Sequence, residues 1–214
     1  MPKATAQTLD ALTGLPKRSA FEQRLDQAVR EAQRTHAAVS IAVIDVDYMG
    51  RLNTELGREA ADQFLTALAQ RAKALGGQDG ACYRFGGDAL GMLWEGMEKE
   101  QAFLKAETLR RELLQGHGRQ EAAPGTLSIG VAAFPDDGND AATIVQRAHE
   151  ALYRAKVSGR NRVCLAREEK MVTKTSHYFQ GQLLGLRRLA EREGIGEAVL
   201  LREALNDLLR KYNA

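Results

Sequence analysis

The sequence predicts an α/β (α+β) domain in which a central sheet is flanked by helices, followed by a small β-α-α tail. Three observations carry this reading. Val39-Ser40-Ile41-Ala42-Val43-Ile44-Asp45-Val46-Asp47 is a nearly continuous apolar run ending in acids, the pattern of a buried central strand that delivers carboxylates at its carboxyl end. Between Cys82 and Trp94, two runs rich in apolar and aromatic residues flank Gly86-Gly87, a pair free to adopt the positive φ values of a tight hairpin turn. Segments with helical apolar spacing alternate with these strands, as in a layered α/β domain.

Taken in order, Met1 to Thr8 is expected to fray. The Thr13-Gly14-Leu15-Pro16 turn leads into a helix from about Ser19 to Arg34, with Phe21, Leu25, Ala28 and Val29 on one face. The strand ending at Asp47 follows. A second helix, about Arg58 to Leu75, places Phe64, Leu65, Leu68 and Ala72 at helical spacing, and the stretch Gly76-Gly77-Gln78-Asp79-Gly80 breaks it before the hairpin. A third helix covers about Lys99 to Leu114. Gly116 to Gly125 is a polar loop, and Thr126 to Phe134 reads as another buried strand. Pro135-Asp136-Asp137-Gly138 turns the chain into a helix from Ala141 to Ser158, and Arg162 to Ala166 makes a last edge strand.

After Ala166 the character changes. Lys170 to Phe179 fits a short strand, and Gln182 to Glu193 a helix with Leu183, Leu186, Leu189 and Ala190 on one face. Past Gly194 a second helix carries Ala198, Leu201, Leu205, Leu208 and Leu209. Such a segment of about 45 residues is too short to bury a stable core alone, so it is expected to dimerise or dock. The domains are therefore drawn at 8–166 and 170–214.

Composition bounds the function. A chain of 214 residues suits one main domain with an appendage. With 30 basic and 28 acidic residues the net charge is +2, which implies no general polyanion-binding surface and makes any nucleic-acid contact local. Cys82 and Cys164 stand far apart and read as buried reduced thiols, and the histidines show no metal-ligand spacing. No run of about 18 apolar residues occurs, so a cytoplasmic protein with no membrane partner is expected.

Asp45 and Asp88 come from neighbouring strand ends, an arrangement that can hold Mg²⁺ beside substrate phosphates. Gly86 and Gly87 carry no Cβ, so a phosphate chain could approach their backbone closely.

Five motifs in order resemble the GGDEF domain of diguanylate cyclases, which join two GTP molecules into cyclic di-GMP. They are Asp10-Ala11-Leu12-Thr13-Gly14-Leu15-Pro16-Lys17-Arg18, then Ile44-Asp45-Val46-Asp47 with Asn53, then Arg84-Phe85-Gly86-Gly87-Asp88. Leu127-Ser128-Ile129-Gly130-Val131-Ala132 follows, and finally Ala151-Leu152-Tyr153-Arg154-Ala155-Lys156 with Gly159-Arg160-Asn161-Arg162. The resemblance implies a palm-like, mixed but mainly antiparallel sheet. It further implies that Asn53 and Asp62 recognise guanine, that the backbone N–H groups of Tyr48, Met49 and Gly50 cradle phosphates beside Gly86 and Gly87, and that Lys156 and Arg160 hold the triphosphate. Asp45 and Asp88 would be the Mg²⁺ ligands. Gly50 replaces the family's usual lysine.

Ala89 stands where the family places a second, metal-binding acid, and Leu90 where it places phenylalanine. Asp88 is left as the residual catalytic acid. Losing one comparable electrostatic group costs about 10²–10³ in rate, so little or no cyclase activity is expected and Mg²⁺ binding is weak or conditional. The family's inhibitory arginine and aspartate would fall near Gly77 and Gly80, so a separate feedback site is not expected.

The tail resembles a ribbon-helix-helix domain through Thr175-Ser176-His177-Tyr178-Phe179, Leu189-Ala190-Glu191-Arg192-Glu193-Gly194 and Leu200-Leu201-Arg202-Glu203-Ala204-Leu205. This implies that two chains pair strands into a ribbon lying in the major groove of double-stranded DNA. With Phe179 inward, Lys174, Ser176 and Tyr178 would face the DNA. The expectation is a homodimeric DNA-binding regulator whose impaired GGDEF domain senses GTP or cyclic di-GMP. The alternative is an active diguanylate cyclase dimerised by its tail.

Overall fold

A computed structural model describes residues 9–77, 80–115, 125–166, 176, 178–193, 197, 200–201, 204–205, 208 and 211. The chain divides into two compact units, Met1–Glu168 and Glu169–Ala214.

In the first unit, α1 (Arg18–Thr35) buries Phe21, Leu25, Ala28, Val29 and Ala32 along one stripe and ends at His36 in the left-handed region. β1 (Val39–Val46) follows and is buried at every position except Asp45. Next come α2 (Met49–Leu56), α3 (Arg58–Gly76), the hairpin β2 (Gly80–Gly86) and β3 (Ala89–Glu95), and α4 (Lys99–Gln115). β4 (Leu127–Phe134), α5 (Ala141–Val157) and β5 (Arg162–Leu165) complete the unit.

The five strands form one sheet in the order β2-β3-β1-β4-β5, antiparallel except for the parallel β4–β5 pair at one edge. This is the mixed sheet flanked by helices that the sequence predicts. β1 lies at its centre, and its side chains divide by parity. Ala42, Ile44 and Val46 pack with Leu65, Leu68 and Leu109 from α3 and α4. Ile41 and Val43 pack with Phe21 and Leu25 of α1 and with Ile144, Ala148 and Leu152 of α5. Burial on both faces is why this strand reads as a continuous apolar run.

One close approach sets the α5 packing. A Cβ on Gly130 would stand 2.0 Å from the Ala148 carbonyl oxygen and 2.3 Å from the Leu152 nitrogen, so β4 can lie against the backbone of α5 only with glycine there.

Three details depart from the sequence reading. α2 is a helix of its own: Tyr48 takes a left-handed φ of 58° straight after β1, and Gly57, at φ 84°, separates α2 from α3. An eight-residue helix holding only one buried residue, Leu52, carries too little apolar periodicity to announce itself. The hairpin loop is Gly87-Asp88 rather than Gly86-Gly87. Gly86 closes β2 next to a register shift after Arg84, so Asp88 lies in the turn itself and not just past it. Cys82 is buried as expected, whereas Cys164, on the edge strand, is half-buried.

In the second unit, α6 (Gln180–Glu193) leaves Leu183 and Leu184 exposed. Glu197, Leu200, Leu201, Ala204, Leu205, Leu208 and Lys211 are also helical, and Arg187 meets Glu197 at 3.6 Å. Lys174, Thr175 and His177 lie outside the described residues, as does most of the expected strand. Ser176, Tyr178 and Phe179 are not in a strand. Phe179 is 82% exposed in the single chain, and its backbone N–H donates to Gln182 Oε1 at 3.0 Å at the start of α6. Among the described residues, no helix is long and apolar enough to cross a membrane.

Candidate functional site

The carboxyl end of β1, the β2–β3 turn and the start of α2 converge. Val46 N–H donates to the Asp88 carbonyl at 3.2 Å, tying the hairpin tip to the central strand. Arg84 holds the tip from beneath. It is 6% exposed, its guanidinium donates through Nη2 to the Gly87 carbonyl, and its backbone N–H donates to the Pro16 carbonyl at 2.8 Å. Burial lowers the Arg84 pKa, while the charges of Asp10, Asp88 and Asp62 act in the opposite sense. Its Nη1 is buried with no hydrogen-bond partner.

A cleft of about 640 Å³ opens beside this tip, and Met49, Gly50, Asn53, Asp62, Gly87 and Asp88 line it together with Arg58 and Arg84. Six sequence-predicted residues thus share one cavity. Gly86 and Tyr48 stand next to it in the chain but do not line it. Met49 and Gly50 form the first turn of α2, where N–H groups lack partners within the helix. Asn53 sits one turn on, its Nδ2 donating to the Met49 carbonyl at 3.1 Å.

Four further predicted residues meet in two pairs. Lys156 of α5 meets Asp45 at 2.7 Å. Arg160 lies over the Tyr48 ring at 4.6 Å, with Nη1 3.3 Å from the Tyr48 hydroxyl. Burial raises the Asp45 pKa; the Lys156 hydrogen bond opposes that shift and the Asp88 charge adds to it. A carboxylate held this way favours a cation beside it.

Among the described residues, no three His, Cys, Asp or Glu side chains converge as a metal cage. Mg²⁺ does not require one. It is commonly bound through one or two carboxylates, with substrate phosphates and water supplying the other oxygens. Asp45 and Asp88 fit that requirement provided a triphosphate is present. Ala89 pairs directly with Asp45 across β1 and β3, so the two Cβ atoms share one sheet face. A carboxylate at position 89 would stand on the same sheet face as Asp45.

The motifs assign Asp47 no role of its own. It is 1% exposed and accepts from Thr126 Oγ1 at 2.6 Å, Ser128 Oγ at 2.7 Å and the Asn161 N–H at 3.1 Å. Its signal was an acid closing an apolar strand, opposite two hydroxyl residues that open another.

The model of the diguanylate cyclase GGDEF domain matches residues 7–162. The chain belongs to the GGDEF family. A diguanylate cyclase, DgcP, of Pseudomonas aeruginosa is 36% identical over 160 residues, which is 73% of this chain and 24% of that protein. The response regulator PleD of Caulobacter vibrioides is 33% identical over 160 residues, 72% of this chain and 35% of PleD. This GGDEF chain therefore spans about a quarter to a third of these relatives' lengths. Among solved structures, the GGDEF domain of DgcB from Caulobacter crescentus in complex with c-di-GMP superposes with a TM-score of 0.68 at 26% identity, covering 78% of this chain and 99% of that one. The active GGEEF domain of a diguanylate cyclase from Vibrio cholerae gives 0.67 at 28% identity, covering 72% and 98%.

Proposed function

We propose that this GGDEF domain binds a guanine nucleotide, GTP or cyclic di-GMP, and that its cyclase chemistry is impaired. One observation carries the binding reading: Asn53, Asp62, the first amides of α2 and Asp88 line a single cleft, with Lys156 and Arg160 at its flank. In the proposed pose the Asp62 carboxylate accepts from guanine N1–H and the exocyclic amine, and Asn53 pairs with the same base. The amides of Met49 and Gly50 receive phosphate oxygens. Lys156 and Arg160 neutralise the triphosphate, and Asp45 with Asp88 would hold Mg²⁺ against it.

Attack of a 3′-hydroxyl on an α-phosphate gathers negative charge about the metal, and a bound Mg²⁺ would supply the charge stabilisation for it. Ala89 leaves that position with two carboxylates, so turnover is expected to be slow or absent. Titration of the protein with GTP and with GTP analogues tests the binding reading, and Asn53→Ala with Asp62→Ala should abolish it.

A second reading is an active diguanylate cyclase in which the tail supplies the dimer. The names of the relatives favour it, since DgcP is a diguanylate cyclase, whereas the comparisons carry nothing about DNA. Ala89 is the residue that speaks against it.

For the tail, DNA binding rests on the ribbon-helix-helix resemblance, and homodimerisation on that resemblance together with a segment too short to bury a core by itself. Lys174→Ala should weaken binding to a selected duplex, with a shallower salt dependence if that lysine meets phosphate. Unchanged affinity moves the contact elsewhere or removes the DNA reading.

A further inference from the structure

We infer that Asp47 is a positioning residue: its buried carboxylate presets the turn that carries Arg160, so that the arginine arm stands ready for the phosphates of the nucleotide. The inference rests on the nucleotide reading above and assigns a task to a residue which that reading leaves idle.

An Asp-Val-Asp strand end beside a phosphate cleft would ordinarily make both acids candidate metal ligands. Their surroundings separate them. The Asp45 side chain is 15% exposed and its partner, Lys156, is itself 35% exposed, so the pair can open to a ligand. Asp47 has no such freedom. Oδ1 accepts from Ser128 Oγ, Oδ2 accepts from Thr126 Oγ1 and the Asn161 N–H, and the side chain is fully enclosed. A metal there would have to displace two hydroxyls and a backbone amide from a site with no access to water. The carboxylate is therefore committed to the protein.

What it holds is unusual backbone. Arg160 and Asn161 have φ values of 61° and 45°, two successive non-glycine residues in the left-handed region, which L-residues occupy when their surroundings impose it. The Asn161 N–H is fixed by Asp47, and the Arg160 N–H by the Ala155 carbonyl at 3.0 Å. The same carboxylate reaches the arginine side chain, with Oδ1 3.9 Å from Nε. Beyond that point the guanidinium lies over Tyr48, whose own φ of 58° starts α2, the helix whose first residues, Met49 and Gly50, line the cleft. One buried charge thus sets the base of the arm, and one exposed ring supports its tip. An arginine held in place before the ligand arrives loses less side-chain freedom on binding.

The experiment is a titration of the full chain, unaltered and as Asp47→Asn, with GTP, GMP and ITP in Mg²⁺. The unaltered protein should prefer GTP to GMP through its phosphate contacts, and GTP to ITP through the base amine that Asp62 meets. Asp47→Asn should reduce the GTP-over-GMP ratio by roughly ten- to a hundredfold, the value of one charge-assisted hydrogen bond. It should leave the GTP-over-ITP ratio unchanged. Ser128→Ala removes a hydrogen bond on the core side of the same carboxylate; it should lower stability while keeping both ratios.

Asp47→Asn with both ratios intact overturns the inference and leaves the nucleotide reading standing. An unaltered protein that binds none of the three, and cyclic di-GMP neither, overturns both. Should Asp47→Asn fail to fold, amide exchange in the unaltered protein decides. The Asn161 amide is expected to be protected before nucleotide is added, and rapid exchange there overturns a preset turn.

Discussion

Ala89→Glu is the substitution that most directly probes the hairpin tip. Ala89 and Asp45 are direct antiparallel partners, so their Cβ atoms lie about 5 Å apart on one face of the sheet. Two carboxylates about 6 Å apart repel by about 3 kcal/mol at an effective dielectric constant of about 20. Ala89 is only half-buried and Lys156 pairs with Asp45 at 2.7 Å, so solvent and the ammonium should reduce the net cost to about 1 kcal/mol. Asp45 already titrates above its ordinary value through burial, and a second acid beside it raises it further. The sign follows: a carboxyl raised on folding favours the folded state below its unfolded pKa, and that contribution disappears as pH rises through the folded value. At neutral pH without metal, urea unfolding of the variant should therefore show a lower midpoint with an unchanged slope. Mg²⁺ with GTP should reverse the loss, because the added acid completes a three-carboxylate site. Chromatography of the products should show turnover rising by about 10²–10³ over the unaltered protein. A variant whose midpoint ignores both the new charge and the metal, and which stays without product, would refute the reasoning that position 89 is the missing metal ligand.

Further outcomes follow from the packing and the titrating groups. Gly130→Ala drives a Cβ to within 2.0 Å of the Ala148 carbonyl, so β4 and α5 must separate, at a cost of about 1–3 kcal/mol or more read as a lower urea midpoint; an unchanged midpoint would mean the strand–helix contact is looser than it stands here. Cys82, its thiol pushed up to about 12 by burial, should resist alkylation at pH 8 in the folded protein while half-buried Cys164 reacts first; equal rates would contradict the packing of β2. Glu107 is held below its ordinary value chiefly by the Arg110 hydrogen bond, so its contribution is present above the unfolded pKa and fades as pH falls through the folded value. Glu107→Gln should accordingly flatten the acid limb of a stability–pH curve.

How legible this was depended on burial. Val39–Val46 could be read at once because both of its faces are covered, and the hairpin because two apolar runs bracket glycines. The cleft residues Asn53, Asp62, Met49, Gly50 and Asp88 follow from ordered motifs rather than periodicity, since residues that line a cleft instead of the core have no apolar pattern of their own. α2 was missed because eight residues with one buried side chain look like a turn. Asp47 and Arg84 were missed as structural hubs for a related reason. Their partners lie far along the chain, 79 to 114 residues away for Asp47, or are backbone groups, as Gly87 and Pro16 are for Arg84, and neither kind of contact leaves a local mark. Phe179 closes the expected strand in the sequence reading, yet its N–H begins α6, so the alternation of a strand does not extend to it.

The central claim is a guanine-nucleotide pocket whose cyclase chemistry is impaired, and the direct test is calorimetric titration of the full chain with GTP and with ATP in Mg²⁺, followed by chromatography of the recovered nucleotide. The account predicts that GTP binds, that ATP binds at least about tenfold more weakly because Asp62 has no N1–H to meet, and that GTP is recovered unchanged. Equal affinities would contradict the base pocket, and cyclic di-GMP in the eluate would contradict the role given to Ala89.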